Sequence, residues 1–468
     1  VTLNWAEPDA VTYSGTRITC TGNGSTTEIT LAKGTTTYTA SGLTGGVKYT
    51  FTVYATYSSG YESVGAAFTI TPMDKTLSFT YTAEQLSDVR NGGLGDYCVL
   101  MADVDLSGYS SGTGWNPIGA SGSAFTGIFD GNGHTISNLT INDSATDYRG
   151  FFGFTSGAEI KNVTLTNVSV NGKQFVGGLV GQSETGTISN CSVSGTVSGV
   201  GKSIGGMVGR KNSGTVENSH ASVNVNSNSE SAGGLIGHCA GASIVFCHAT
   251  GSVSGYSSTG GLVGYQFDGA ITSCYATGNV LVDKFYFNEA NAGGLVGRTA
   301  TVTITKCYAL GNVTVQYAGT NFVHAGGLGG YISGGTVQNC FARGNVDANI
   351  TNTGSSNPVF AGGLVGRLSA TAQYCYSTGT IAASTVGTGA VNIYAFAGGT
   401  SSTACYYDIT TSGIADDGVD TNGIGKSHSD MILQSTYQPG ANNWDFSTVW
   451  SISPSINGGY PYLTGMAP

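Results

Sequence analysis

Residues 293–297, Gly-Gly-Leu-Val-Gly, are one copy of a block that recurs through the middle of the chain. The Gly-Gly pairs fall at 177/178, 205/206, 233/234, 260/261, 293/294, 326/327, 362/363 and 398/399. Successive pairs lie 27 to 36 residues apart. A unit that repeats at such a period is typical of a solenoid, a propeller or another repeat array.

Four further positions keep their character when residues are counted from the second Gly of each pair. The tenth residue is apolar, the fifteenth is small and the nineteenth is Val. The thirteenth position holds Cys191, Ser219, Cys247, Cys274, Cys307 and Cys340, and Cys375 fits after a one-residue deletion. Short strands of this kind cannot bury an apolar face alone, but they can stack about 4.8 Å apart. The repeat therefore predicts a right-handed parallel β-helix with interior columns of Leu, Ile, Val and Cys.

The cysteines are mostly one of these interior columns. Stacked residues on adjacent parallel strands are close enough for a disulfide, but their parallel Cβ directions suit its dihedral angle poorly. Ser219 also interrupts the column without disturbing the repeat. We therefore predict buried free thiols that act as small apolar side chains. Sporadic disulfides, metal binding and redox chemistry are the alternatives.

The composition narrows the class of protein. Glycine accounts for 75 of the 468 residues, and charged residues make up only 9%. Collagen is excluded because no strict Gly-X-Y period runs, and disorder is disfavoured because 40% of the residues are apolar. We expect the repeated glycines to sit at corners, because Gly reaches positive φ without a steric penalty.

The first 73 residues have a different pattern. Residues 49–55, Tyr-Thr-Phe-Thr-Val-Tyr-Ala, alternate apolar and polar side chains, which predicts a half-buried strand. With an early Trp5 and the preceding Leu43-Thr44-Gly45-Gly46-Val47-Lys48, this segment resembles a fibronectin type III module. The resemblance implies a β-sandwich in which Tyr49 ties back to the preceding turn. It also implies a spacer or a protein-binding module rather than catalysis.

The rest of the chain divides into three segments. Residues 74–150 are expected to form the N-terminal cap and first rungs of the solenoid, with one helix over 83–89 closing its open edge. Residues 151–407 carry the repeats, and residues 408–468 form a C-terminal cap. The predicted fold class is thus all-β, a fibronectin-like sandwich followed by a capped parallel β-helix.

The repeats themselves resemble those of a known family. Gly-Gly-Leu-Val-Gly followed by 339–346, Asn-Cys-Phe-Ala-Arg-Gly-Asn-Val, looks like a GLUG repeat. Residues 101–108, 115–119 and 125–134 resemble the usual lead-in, and 444–450 with 459–463 resemble the closing segment. The resemblance implies a bacterial surface protein with an adhesin-like role, and it supplies no catalytic residues.

Charge and hydropathy agree with an extracellular location. The net charge is −10 and the 17 Lys and Arg residues form no basic cluster, so we expect no nucleic-acid partner. No apolar run is long enough to span a bilayer. The sequence opens directly into a strand-like pattern, so we expect a mature or trimmed chain. We expect a monomer whose partners are host glycans, matrix glycans or extracellular proteins.

Catalysis is not expected. The six histidines include no His-Glu-x-x-His pair, and no phosphate loop or nucleophile elbow is present. A glycoside hydrolase needs two carboxylates roughly 5–10 Å apart. The repeat-zone carboxylates stand in different columns: Glu184, Glu217, Asp268, Asp283, Glu289 and Asp347. We predict no cofactor and no metal, and the alternative function is a polysaccharide lyase or glycoside hydrolase on the β-helix.

Two groups of aromatic residues are the candidate binding sites. One is an outward strip that begins at His220 and His248 and continues through Tyr275 and Tyr308. It either lies beneath a loop or contacts a sugar or a protein. The other follows the longer repeats, whose extra residues all fall at one corner, and its members are Phe285, Tyr286, Phe287, Tyr317, Phe322, Phe360, Tyr394 and Phe396. These corners form either a binding groove or a packed side sheet.

Overall fold

The structure is a computed structural model that describes residues 2–10, 12–45, 47–70, 75–228, 230–283, 289–399, 402–415, 422–440 and 442–468. The chain divides into two compact units, Val1–Leu77 and Ser78–Pro468.

Two antiparallel sheets form the first unit. The four-stranded sheet has the order Ser25–Ala32, Tyr13–Gly22, Tyr49–Tyr57 and Ala66–Ile70, and the second sheet pairs Thr2–Asn4 with Thr37–Thr39. Leu3, Ile18 and Phe51 are buried in the core of this unit. The hydroxyl of Tyr49 accepts a hydrogen bond from the backbone N–H of Thr44 at 3.0 Å, which is the contact expected of this residue.

The second unit is a parallel β-solenoid of about 10 turns. Sheet 1 consists of Leu77–Thr80, Tyr97–Leu100, Ile128–Asp130, Phe152–Thr155, Ala158–Lys161, Val180–Ser183, Gly186–Ser189, Val208–Lys211, Thr215–Glu217, Ile236–Cys239, Ser243–Val245, Val263–Thr272, Val296–Thr305, Gly329–Gln338, Val365–Leu368, Thr371–Gln373, Ala397–Gly399 and Ser402–Thr403. Sheet 2 consists of Val104–Asp105, Thr135–Ser137, Thr140–Asp143, Thr164–Gly172, Ser192–Gly199, His220–Ser227, His248–Ala249, Val253–Gly255, Tyr275–Ala276, Val280–Val282, Tyr308–Ala309, Val313–Tyr317, Phe341–Ala342, Val346–Ile350, Tyr376–Ser377, Ile381–Thr385, Tyr406–Asp408 and Ile424–Lys426. Sheet 3 consists of Val176–Gly177, Ile204–Gly205, Ala232–Gly233, Ser258–Gly260, Ala290–Gly293, Val323–Gly326, Val359–Gly362 and Val391–Tyr394.

The repeat positions counted in the sequence face one another in the solenoid. The tenth-position residues pair in register from Ile188 to Val337, and the nineteenth-position valines pair from Val197 to Val346. Both columns are buried. The predicted parallel stack with interior apolar columns is confirmed.

The thiol prediction is also confirmed. All ten cysteines are buried and free. Burial raises the pKa of Cys191 to about 12 and the pKa of Cys239 to about 11, which keeps both thiols protonated. The cysteine column is therefore part of the core.

The glycine prediction needs a correction. Gly293 and Gly294 are not at positive φ; instead, a Cβ at these positions would lie 2.0 Å and 2.1 Å from backbone oxygens of the same and the next turn. The repeated left-handed corner belongs to the residue before the cysteine column, with φ of 52° at Asn190, 53° at Phe246 and 54° at Lys306. Close backbone approach, rather than positive φ, makes glycine necessary in the pairs.

The longer corners extend sheets 2 and 3 outward and enclose a second apolar core. We call this region the side lobe; it comprises the described residues of 280–293, 313–326, 346–362 and 381–394. Val282, Val315, Tyr317 and Ile350 are among its buried residues. Of the two predicted arrangements, the packed side sheet is the one present.

Short helical segments lie near the two ends of the solenoid. The predicted helix is present over Ala83–Asp88, with a capping box between Thr82 and Gln85, and it continues as a 3-10 turn, Val89–Asn91. The other segments are Ser107–Tyr109, Ile409–Ser412, His428–Met431, Gln434–Tyr437 and Asn457–Gly459. Near the C-terminus, Trp450–Ser451 pairs with Tyr462–Leu463. Among the described residues, no helix is long and apolar enough to cross a membrane.

Candidate functional site

The predicted aromatic strip is a continuous stack of rings on the outer face of sheet 2. We call it the sheet-2 ladder; its members are His220, His248, Tyr275, Tyr308, Phe341 and Tyr376. Neighbouring ring centroids are 4.6 to 5.0 Å apart, and neighbouring planes lie within 10° of each other. The strip thus faces outward, as its position in the repeat predicts.

The C-terminal segment covers the later half of this ladder. Tyr308, Phe341 and Tyr376 are buried in a cluster that includes Trp444 and Trp450. The Trp450 ring lies 6.2 Å from Phe341 and 6.1 Å from Tyr376. A buried Tyr308 offers no surface to a ligand, whereas Tyr275, at the edge of the cover, is half-buried. Of the two predicted arrangements, the strip lies beneath another part of the chain.

Two stacked histidines form the open end of this ladder. The His220 and His248 rings stack face to face at 4.7 Å. Burial lowers the pKa of both, and that of His248 falls to about 4. Within the described residues, no cluster contains three or more potential metal ligands from His, Cys, Asp and Glu.

The aromatic residues of the long corners are divided between core and surface. Tyr317 and Phe396 are completely buried and cannot contact a ligand. Phe322, Phe360 and Tyr394 are half-buried. Phe285, Tyr286 and Phe287 lie outside the described residues.

A second outward column lies on sheet 1, at the fourth residue after each Gly pair. We call it the sheet-1 ladder; its members are Arg210, His238, Tyr265, Arg298, Tyr331 and Arg367. All six side chains are half-buried. Counting residues from each Gly pair, which locates the cysteine column, also locates this ladder. Its rings alternate with cations, so a pattern of aromatic residues alone does not indicate it.

Each guanidinium in the later part of the sheet-1 ladder lies against the face of a ring. The Arg298 guanidinium carbon is 5.8 Å from the Tyr265 ring centroid and 5.4 Å from that of Tyr331. Arg367 lies 5.2 Å from Tyr331 and 5.6 Å from Phe360. These distances are those of cation–π contacts. The ring faces are therefore occupied, and the ladder presents hydroxyl and N–H groups outward.

The ladder is only partly neutralised by carboxylates. Arg298 Nη1 lies 3.6 Å from Oε2 of Glu289. In the described part of the chain, Arg210 and Arg367 form no salt bridge. Burial lowers the pKa of His238 to about 4, with smaller contributions from Arg210 and Lys202. The ladder is thus a region of positive potential on an acidic protein.

A buried polar pair lies beside this ladder. His324 and Asn291 are both completely buried, and the His324 Nδ1 is 2.8 Å from Asn291 Oδ1. If Nδ1 donates this bond, His324 Nε2 is an acceptor, and neither it nor the Asn291 amide nitrogen has a partner.

A cavity of about 540 Å³ opens where sheets 1 and 3 meet, and we call it the corner pocket. Its wall includes Tyr265 and Arg298 of the ladder, the half-buried Phe322, and two carboxylates, Glu230 and Glu289. Serine hydroxyls line the remainder. The sequence reasoning missed Glu230, because it stands in an irregular corner rather than in a repeated column. The ladder and the corner pocket form the candidate functional site.

Comparisons with known proteins agree with the repeat. The family model described as the GLUG motif matches residues 176–198 and 255–281. Halomucin of Haloquadratum walsbyi is 38% identical over 136 residues, which are 26% of this chain and 2% of halomucin. A Gly-rich membrane protein of Evansella cellulosilytica is 33% identical over 150 residues, 31% of this chain and 17% of that protein. The chain thus contains GLUG motifs in these two segments, and it spans only a small part of the length of the two relatives.

A solved structure is similar to part of the fold. The structure titled IgA1 Protease aligns with 79% of this chain and 29% of its own, at 14% identity and a TM-score of 0.41.

Proposed function

We propose that this protein works at or outside the cell surface as an adhesive or structural element that binds a glycan or an extracellular protein. Its β-helix provides a long surface, on which the sheet-1 ladder repeats a similar side-chain position once per turn. The names of the two relatives, halomucin and a Gly-rich membrane protein, support a surface location. We further propose that the chain is a monomer without a nucleic-acid partner.

One observation carries this proposal: the sheet-1 ladder is accessible, whereas the later half of the sheet-2 ladder is covered. Tyr265, Arg298 and Tyr331 are half-buried, and Tyr265 and Arg298 line the corner pocket. Half-buried rings beside polar groups are typical of surfaces that bind sugars or proteins. From the predicted site, Phe322 and Phe360 belong to this surface, and we propose that Tyr275 and Tyr394 supply weaker contacts elsewhere.

A binding screen tests the proposal directly. Full-length protein is applied to an array of neutral and charged glycans and to extracellular-matrix proteins. We expect retention that falls in the double variant Tyr265→Ala/Tyr331→Ala and persists in the control Phe246→Ala, an exposed ring on another face. No retention on any of these surfaces would exclude the adhesive function.

We also propose that residues 1–73 are a fibronectin type III-like module, followed by segments 74–150, 151–407 and 408–468. The two antiparallel sheets and the Tyr49–Thr44 hydrogen bond support the module. Its role is then that of a spacer. Limited proteolysis that releases an intact fragment near residue 73 would agree with this boundary, and cleavage within 13–57 would not.

The corner pocket supports a second candidate function, a glycoside hydrolase. Glu230 and Glu289 line the same cavity and precede strands that are two turns apart, a main-chain spacing of about 10 Å along the solenoid. Inverting glycosidases hold their two carboxyl groups roughly 6.5–9.5 Å apart. A reducing-end assay on mixed polysaccharides separates the two functions. Turnover that is lost in both Glu230→Gln and Glu289→Gln would favour the enzyme, whereas binding without product favours the adhesive protein.

A further inference from the structure

From the sheet-1 ladder we infer that the ligand is an extended anionic polysaccharide, which carries carboxylate or sulfate groups and lies along the solenoid axis. This inference rests on the proposed binding function and adds the charge and the direction of the ligand. Its premise is the register that places Arg298 and Arg367 two turns apart in one column, with Tyr331 between them.

Charge complementarity is the first argument. Three of the 17 Lys and Arg residues stand in this single column of a chain whose net charge is −10. Guanidinium groups bind planar oxyanions such as carboxylate through paired N–H donors. Arg367 has no carboxylate partner among the described residues, so its outward N–H groups are available to a ligand.

Spacing is the second argument. Neighbouring turns lie about 4.8 Å apart, so Arg298 and Arg367 present positive charge about 10 Å apart along the axis. A linear polymer that carries an anionic group on every second unit can match such a row. Tyr331, the residue between the two cations, then faces the uncharged hydroxyl groups of the polymer.

The ring faces distinguish a polysaccharide from a nucleic acid. Single-stranded nucleic acids bind by stacking bases on exposed aromatic faces. On this ladder both faces of Tyr331 are occupied, by Arg298 on one side and Arg367 on the other. Tyr265 lies between Arg298 and His238, whose ring is 5.1 Å away. A nucleic-acid base therefore has no free ring face on which to stack. Recognition depends instead on oxygen atoms of the ligand that accept hydrogen bonds.

Glu289 and Glu230 limit where the polymer can lie. Glu289 is 3.6 Å from Arg298, and both carboxylates line the corner pocket. These negative charges repel an anionic group inside the pocket. The charged groups of the ligand are consequently expected on the sheet-1 side, over Arg298, Tyr331 and Arg367.

The test measures binding of full-length protein to heparin as a sulfated probe, polygalacturonate as a carboxylated probe, and dextran as a neutral probe. We expect binding to a charged probe, weaker at higher salt because ions screen exposed charges. Arg298→Gln/Arg367→Gln should weaken it roughly tenfold, and Arg298→Lys/Arg367→Lys, which keeps the charge but loses the paired N–H donors, should weaken it less. The control Lys161→Gln/Lys306→Gln removes the same charge away from the ladder and should leave the affinity unchanged.

Several results would overturn the inference. Equal losses in the ladder and control variants would show a response to net charge alone. Tighter binding of single-stranded DNA than of either charged polysaccharide would assign the ladder to nucleic acid. Binding of dextran or of a protein that survives Arg298→Gln/Arg367→Gln would refute the anionic ligand and leave the adhesive function standing. Failure to bind any glycan or protein would refute both. Thermal unfolding of every variant checks that the fold is retained.

Discussion

Two columns of outward side chains run along the same solenoid, and they differ in charge and in cover. The later rings of the sheet-2 ladder are uncharged and buried beneath the C-terminal segment. The sheet-1 ladder alternates rings with arginines and stays half-buried. Neutral rings can be fully desolvated at a gain, whereas a row of guanidinium groups can be buried only against counter-charges. The composition of an outward column thus indicates whether the chain covers it or leaves it to water or an anionic partner.

The largest effect is expected on removal of the cover. Trp450 is completely buried, packs on Phe341 and Tyr376, and donates from Nε1 to Asn339 Oδ1 at 3.3 Å. Trp450→Ala should cost about 3–5 kcal/mol, because it leaves a large cavity and exposes the rings below. The midpoint of urea unfolding measures this loss. Tyr331→Ala on the open ladder is the control and should cost about 1 kcal/mol or less; equal losses would contradict the distinction between the two ladders.

The second test measures how the stability of the protein changes in acid, through a histidine beside the sheet-1 ladder. Burial, with Arg367 and Arg298 nearby, lowers the pKa of His324 to about 3, from about 6.5 in an unfolded chain. In acid the unfolded state therefore binds a proton that the folded state does not bind. The contribution of His324 to the free energy of unfolding is fully present above pH 6.5 and is lost as the pH falls towards 3. At pH 4 the loss should be about 3 kcal/mol, measured as the unfolding midpoint against pH.

Two substitutions attribute this acid sensitivity to its source. His324→Phe, which places the residue of position 360 one turn earlier, should remove this part of the loss, while the part from His238 and His248 remains. His220→Phe on the sheet-2 ladder should change the pH profile less. Burial lowers the pKa of His220 without the added effect of nearby arginines that acts on His324. An unchanged profile in His324→Phe would exclude His324 as the source.

A smaller effect separates the tyrosine hydroxyls of the two ladders. The buried Tyr376 hydroxyl donates to the Pro461 carbonyl at 2.6 Å and accepts from Asn457 Nδ2 at 2.7 Å. Tyr376→Phe should cost about 1–3 kcal/mol, because buried partners lose a hydrogen bond. Tyr331 is half-buried on the open ladder, so Tyr331→Phe should leave the unfolding midpoint unchanged. A loss at Tyr331 as large as that at Tyr376 would mean that the open ladder is covered.

The solenoid could be predicted from the sequence because its contacts follow a short period. Counting from each Gly pair places Ile188 against Val216 and Cys247 against Cys274, since every turn repeats the geometry of its neighbour. The cover could not be predicted in this way. Trp450 meets Asn339 across 111 residues, and no periodicity connects them.

Most residues of the candidate site differ from the binding residues that the sequence predicts. Aromatic residues in long corners suggest a binding surface, yet Tyr317 is buried because the insertions pair with one another and enclose their own core. Phe396 is buried in the main core of the solenoid. The sheet-1 ladder follows from the same count that gives the cysteine column. The aligned arginines distinguish this ladder as a candidate binding site. Their alignment is seen when the sequences of successive turns are superposed.

The smallest predicted effect compares the covered and the uncovered part of one corner. Phe246 and Tyr374 occupy the same repeat position at φ of 53° and 56°, a conformation that Asn tolerates better than aromatic residues do. Phe246 is 58% exposed, whereas Tyr374 packs against the covered cluster. Phe246→Asn should therefore raise the free energy of unfolding by about 0.5–1 kcal/mol, because strain is relieved and little packing is lost. Tyr374→Asn should lower the free energy of unfolding, because the packing that is lost outweighs the same relief of backbone strain. A gain in both variants would mean that the C-terminal segment contributes little packing at this corner.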